Sequence, residues 1–174
     1  MSHFDSGGVH ASLSGPLARA LVGLWVLERY SEADETGLER MPFGSAPQGF
    51  LIYALDGFMS VQLMKPERPP LRHGAWGHGF GEPYEAIASG YIAYCGHYRV
   101  DELRAEVIHL PTVALTPNLI GLPQRRLVGL AADRLVLSAG YSKPDGGKIT
   151  SRLEWRRKIE LDAAAFDHNQ DDAT

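Results

Sequence analysis

The stretch GYIAYCGHYRVD, residues 90–101, holds three tyrosines, one histidine and the only cysteine of the chain. Phenols donate and accept hydrogen bonds, a thiol beside an imidazole can form a nucleophilic thiolate, and imidazole with thiolate can bind a metal. Strand geometry decides among these, because alternate side chains face opposite ways. Ile92, Tyr94, Gly96, Tyr98 and Val100 fall on one face, and Tyr91, Ala93, Cys95, His97 and Arg99 on the other. The first set is the more apolar and belongs inside. Tyr94 and Tyr98 then aim two phenol hydroxyls inward as candidate catalytic groups, against a plain reading as packing tyrosines with satisfied hydroxyls. Cys95 and His97 face outward, so a catalytic thiolate pair is not expected there.

Other residues extend the candidate site. His109, in AEVIHLP, shares a face with Val107 and is a third candidate for acid–base chemistry. In GFLIYALDGFMSVQLM, Tyr53 lies on a face with Leu51, and Ser60 and Gln62 share a face of the partner strand. All three are candidate ligand contacts, although Ser60 and Gln62 would suit solvent equally well. Asn118 and Gln124 flank a turn at the mouth of the fold. Arg126 alternates with Val128 and Leu130, and an inward guanidinium needs an acidic partner or an anionic ligand. Trp76, between glycines in HGAWGH, is a candidate aromatic flap over a ligand. His73 and His78 in that connector lack the spacing of a metal motif, and GHGFGEP lacks the Lys-Ser/Thr ending of a phosphate loop. No triad or carboxylate pair is visible. The expectation is therefore no metal and no cofactor, with any chemistry arising from cavity shape and a few hydrogen bonds.

The elements that must position these groups are strands. A length of 174 residues suits one domain. Its 19 glycines and 11 prolines are spread through the chain and mark many turns. Asp56-Gly57 joins two β-rich runs as a type I′ turn. ELRAEVIHLP, TVALTPN, QRRLVGLA, RLVLSAG and TSRLEWRRKIEL read as successive strands, and short helices are expected from Pro16 and from Pro83. In the last strand Leu153, Trp155 and Arg157 share one face, and Arg152, Glu154, Arg156 and Lys158 the other. One buried face and mostly short connections predict an all-β fold, a single antiparallel up-and-down barrel of eight to nine strands with one or two short helices. The barrel domain is expected over 15–162, after a flexible segment 1–14 and before a polar tail 163–174. The long connector 65–83 is a candidate lid.

Charge and composition limit the partners. The net charge is −4, and the 17 lysines and arginines are dispersed. Nothing resembles the basic face that neutralises phosphates, so no nucleic-acid partner is expected. One cysteine allows no intramolecular disulfide. PLARALVGLWVLERY is interrupted by Arg19 and Glu28 and is too short to span a bilayer, and no signal-peptide pattern precedes it. A cytoplasmic protein without a membrane partner is expected. The oligomeric state stays open, a homodimer included.

LVGLWVLERY, with Gly23 and Trp25, matches the Gly-x-Trp opening of lipocalins. The order PFG, then LIY and DG in the hairpin, then YIAYCG and the closing SRLEWRR resembles the lipocalin-like domain family over roughly residues 18–158. The resemblance implies a barrel whose tryptophan, Trp25, closes the floor with Arg157 or Arg156 stacked on it. It also implies a small-molecule cavity. The expected function is binding of a hydrophobic organic molecule by a cofactor-independent cyclase or isomerase of a natural-product pathway; the alternative is a non-catalytic binding or carrier protein.

Overall fold

The computed structural model describes residues 15–68 and 88–158. Segment 1–14, tail 163–174, Trp76, His73, His78, most of the candidate lid and most of the expected helix from Pro83 lie outside the described residues. Helix α1 spans Pro16–Leu21. It is followed by β1 (Gly23–Asp34), β2 (Glu39–Arg40), β3 (Gln48–Tyr53), β4 (Phe58–Met64), β5 (Tyr91–Asp101), β6 (Glu106–Ala114), β7 (Gln124–Ala131), β8 (Arg134–Ser142) and β9 (Lys148–Arg157). From β3 onward each strand pairs antiparallel with the next, and β1 pairs with both β3 and β9. Eight strands thus close into an up-and-down barrel, as expected. The two-residue β2 lies against the far end of β1, outside the ring.

Two local expectations are corrected. The hairpin turn is not type I′: only Gly57 has positive φ, at 85°. Ala54 N–H donates to the Phe58 carbonyl and Gly57 N–H to the Ala54 carbonyl. That leaves three loop residues, a length that places one glycine in the left-handed region after an ordinary turn. The expected strands ELRAEVIHLP and TVALTPN are also one strand, β6. Cys95 stands opposite Val113 and Gly96 opposite Pro111, so Thr112 is an extra residue. A bulge is where a sheet tolerates a proline, and Pro111 sits beside it. The bulge presses β6 onto β5: a Cβ at Gly96 would lie 2.2 Å from the Leu110 carbonyl oxygen.

The alternating strand directions give the barrel two ends. The floor carries the tight turns after β3, β5 and β7 and is crossed by α1. Glu102, from the β5–β6 turn, accepts hydrogen bonds from the Leu17 and Ala18 N–H groups at 3.0 Å each, satisfying free donors at the helix start. Arg157 holds the other end. It donates to the Val22 carbonyl at 2.7 Å and to the Ala20 carbonyl, and its guanidinium lies 4.1 Å from the centre of the Trp25 ring. The Trp25 indole donates to the Leu21 carbonyl at 2.8 Å. Gly23 must be glycine twice over: its φ is 133°, and a Cβ there would lie 2.8 Å from an Arg157 nitrogen. Trp25, Tyr53, Met59, Tyr98 and Leu135 fill the space above, each at most 1% exposed. Arg157, rather than Arg156, is the stacking partner; Arg156 pairs with Glu28 and Asp133 instead.

Candidate functional site

The mouth half of the barrel is not filled. It holds a cavity of about 260 Å³. Leu51, Val61, Leu63, Ile92, Leu137 and Trp155 supply apolar wall, so the cavity can take an apolar ring. The indole N–H of Trp155 is buried with no partner among the described residues.

Polar groups converge from two sides. On one, His109 of β6 bridges two tyrosines. Its Nε2 lies 2.6 Å from the Tyr53 hydroxyl and its Nδ1 2.9 Å from the Tyr94 hydroxyl. Strand alternation brings them together, Tyr53 ending β3 and Tyr94 and His109 facing inward from β5 and β6. His109 is 1% exposed, and burial, reinforced by the charge of nearby Arg126, pushes its pKa down to about 3. It is neutral at any ordinary pH. Burial raises both tyrosines above their usual range, Arg126 opposing the rise. Arg126 and Gln124, both half-buried on β7, line the same side. One Arg126 nitrogen donates to the Arg125 carbonyl at 2.9 Å, and no carboxylate pairs with it among the described residues.

On the other side a carboxylate is already saturated. Glu32, 5% exposed, accepts from the Tyr30 hydroxyl at 2.6 Å and the Tyr141 hydroxyl at 2.7 Å through one oxygen. Its second oxygen takes two bonds from Arg40 of β2, at 2.9 and 2.6 Å. Burial pushes the Glu32 carboxyl up, but these hydrogen bonds and the Arg40 charge outweigh it and hold the pKa below the usual carboxyl value. Tyr30 and Tyr141 both reach the cavity. Phe43, 4% exposed, packs edge-on against Tyr30 with ring centres 5.3 Å apart and covers this side.

Sequence reasoning did not name Tyr30, Glu32 or Tyr141. Simple alternation from Trp25 and Leu27 predicts that Arg29 and Ser31 face inward. A bulge prevents that: Leu27 stands opposite Trp155 and Arg29 opposite Glu154, so Glu28 is extra and the inward set becomes Tyr30 and Glu32. A charged residue two after a tyrosine, at a position that alternation assigns to solvent, carried no inward signal.

Of the residues expected from the sequence, Tyr94, His109, Gln124 and Arg126 line the cavity, and Tyr53 reaches it through His109. Tyr98 shares the inner face but belongs to the floor. It does not line the cavity, and its hydroxyl donates to the Ala54 carbonyl at 2.9 Å. Burial, with a smaller contribution from Asp56, pushes its pKa up to about 12. Ser60 and Gln62 lie on the outer face, where Gln62 accepts from the Tyr91 hydroxyl, because Met59, Val61 and Leu63 take the inner positions of β4. Asn118 is exposed on the one-turn helix Pro117–Leu119, away from the cavity. Trp76 lies outside the described residues. Cys95 and His97 face outward, His97 against Phe58 with ring centres 5.7 Å apart. No group of three or more histidine, cysteine or carboxylate side chains is placed to hold a metal among the described residues, nor is any described helix long and apolar enough to cross a membrane.

A closed barrel with a floor-locking tryptophan and a lined cavity defines a lipocalin-like architecture. Residues 22–158 match the lipocalin-like domain family, and the chain belongs to it. It is also similar to the 4'-hydroxy-3'-methoxypropiophenone carrier protein of Aspergillus oryzae. The two are 30% identical over 110 residues, covering 59% of this chain and 99% of that protein. Family and relative together support small-molecule binding.

Proposed function

We propose that this barrel binds and carries a single-ring organic molecule with oxygen substituents, without converting it. The carrying observation is the pairing of apolar wall with converging hydrogen-bond groups, Arg126, Gln124 and Tyr94, inside about 260 Å³. Drug-sized ligands occupy pockets of roughly 300–1,000 Å³. A smaller cavity favours one substituted ring over an extended polycyclic intermediate. The relative, a carrier of a hydroxy-methoxy aryl ketone, points to the same ligand class.

The expected cyclase or isomerase is less well supported. A general acid or base works best with a pKa near the operating pH. Here burial moves His109 to about 3 and raises Tyr53 and Tyr94, each away from neutrality. Such groups hold and orient a ligand but transfer protons poorly.

Titration with 4'-hydroxy-3'-methoxypropiophenone, followed by tryptophan fluorescence, tests the reading, because Trp155 lines the cavity. The expected result is saturable binding at one molecule per chain, with the ketone recovered unchanged by mass spectrometry. Recovery of a rearranged or cyclised product would replace the carrier with an enzyme.

A further inference from the structure

The hydrogen bonds around His109 dictate what the cavity offers. A neutral histidine has one donor and one acceptor nitrogen. Tyr53 is 1% exposed, and His109 Nε2 is its hydroxyl's hydrogen-bond partner. A buried hydroxyl proton without an acceptor is costly, so Tyr53 donates to Nε2. The proton of His109 therefore sits on Nδ1 and is donated to the Tyr94 oxygen. The Tyr94 oxygen is then an acceptor from His109 and lies in the field of Arg126. Its own O–H is left to donate into the cavity. Beside it stands a guanidinium with no carboxylate partner among the described residues.

The charges around the cavity do not cancel. Glu32 of β1 is matched by Arg40 of β2 and has four hydrogen bonds already. Tyr30 and Tyr141 are committed to it as donors. Tyr53, Tyr94 and His109, from β3, β5 and β6, are neutral, and the β4 and β9 lining carries no ionisable group. Among the described lining residues, Arg126 on β7 is the remaining charge. The cavity thus presents, among the described residues, a net positive pole with at least two donors and no counter-ion.

We propose that the cavity takes its ligand as an oxyanion, a para-acyl phenol bound as the phenolate, with the oxygen held by Arg126 and the Tyr94 hydroxyl. This rests on the carrier reading above. A phenol with a para carbonyl is acidic for its class because the carbonyl shares the anion's charge. On entry its O–H bond breaks, the proton leaves to solvent, and no other bond changes. An opposite charge at contact distance lowers such a pKa by about 1–3 units. The ligand is then ionised when bound at a pH where it is mostly neutral when free.

Absorbance difference spectra test this, since a phenolate absorbs at longer wavelength than its phenol. The probes are 4'-hydroxy-3'-methoxypropiophenone and its 3',4'-dimethoxy counterpart, which cannot ionise, at a pH about one unit below the free phenol's pKa. The wild-type protein should bring up the phenolate band in proportion to bound ligand, and should bind the dimethoxy ketone roughly tenfold more weakly, the ratio that a pKa lowered by about two units gives at this pH. Arg126→Gln should bind the phenol without the band, and Arg126→Lys should restore part of it. Wild-type binding of the phenol without a phenolate band, as tight for the dimethoxy ketone, overturns the oxyanion proposal and leaves the carrier reading standing. No binding of either ketone overturns both.

Discussion

Arg157 and Arg126 both lie part-buried against the interior of one barrel, and they do opposite work. Arg157 is finished: two helix-end carbonyls accept from it and the Trp25 ring covers its face. Arg126 donates to the neighbouring Arg125 carbonyl, interacts with the Tyr94 hydroxyl and otherwise faces a cavity. The difference separates a floor whose polar groups are satisfied within the chain from a mouth half whose groups await something else. Satisfied networks give rigidity. Open donors around a void define a binding site.

The largest expected effect is on the floor. Trp25→Ala should cost about 3–5 kcal/mol by leaving a cavity under α1 and removing the surface on which Arg157 stacks. Chemical denaturation measures this. A loss below about 1 kcal/mol would mean that the floor is not the stabilising half.

Acid should act through the mouth half. An unfolded histidine titrates near its ordinary 6.5, whereas folded His109 stays neutral to about 3. As pH falls below 6.5 the unfolded chain takes up a proton that the native chain refuses. The His109 contribution is therefore complete above 6.5 and shrinks by up to about 1.4 kcal/mol per pH unit on acidification. Glu32, with its carboxyl held low, adds acid sensitivity only below its ordinary value of 4.5. Between those values His109→Gln should flatten the dependence of stability on pH. An unchanged slope would show that His109 protonates freely in the fold.

Tyr53→Phe sharpens the boundary between the halves. It removes the donor to His109 Nε2 and leaves a buried nitrogen unpaired, an expected cost of about 1–3 kcal/mol. Tyr94→Phe should cost a similar amount, because it strips the acceptor from the buried His109 Nδ1–H. A negligible loss for either variant would contradict the hydrogen bonds assigned around His109. Smallest on stability is Arg126→Gln, expected within about 0.5 kcal/mol of wild type, as for a half-buried residue that pairs with no carboxylate among the described residues.

Much of the floor was legible in the sequence because regular alternation and close approach leave strong marks. Gly23 and Trp25 were marked by the resemblance to the Gly-x-Trp opening, whereas the inner face of β5 and that of the closing strand follow from spacing two. Tyr94, His109 and Arg126 were reachable by the same rule. The Glu32 side of the cavity was not, since the extra residue at Glu28 reverses the pattern without changing composition. The β6 bulge likewise made one strand look like two. Ser60 and Gln62 show the converse limit: polar residues in a hairpin marked the outer face, as their alternation with Met59, Val61 and Leu63 allows.

A second depression complicates the choice of site and provides the control. Outside the ring, where β1–β3 pairing stops at Val26 and Phe50, lies a larger groove of about 390 Å³, lined by Phe50, Met64, Gln62 and Tyr91. It offers more room, but its described lining holds no charged side chain, the Arg68 guanidinium standing over the Tyr91 ring at 4.8 Å from its centre, so it gives a ligand less orientation. A crystal structure of the protein with 4'-hydroxy-3'-methoxypropiophenone decides between them. The account predicts the ring inside the barrel against Trp155, with a ligand oxygen within about 2.7–3.2 Å of both Arg126 and the Tyr94 hydroxyl. Ligand seated in the outer groove, with the inner cavity holding only water, would contradict it.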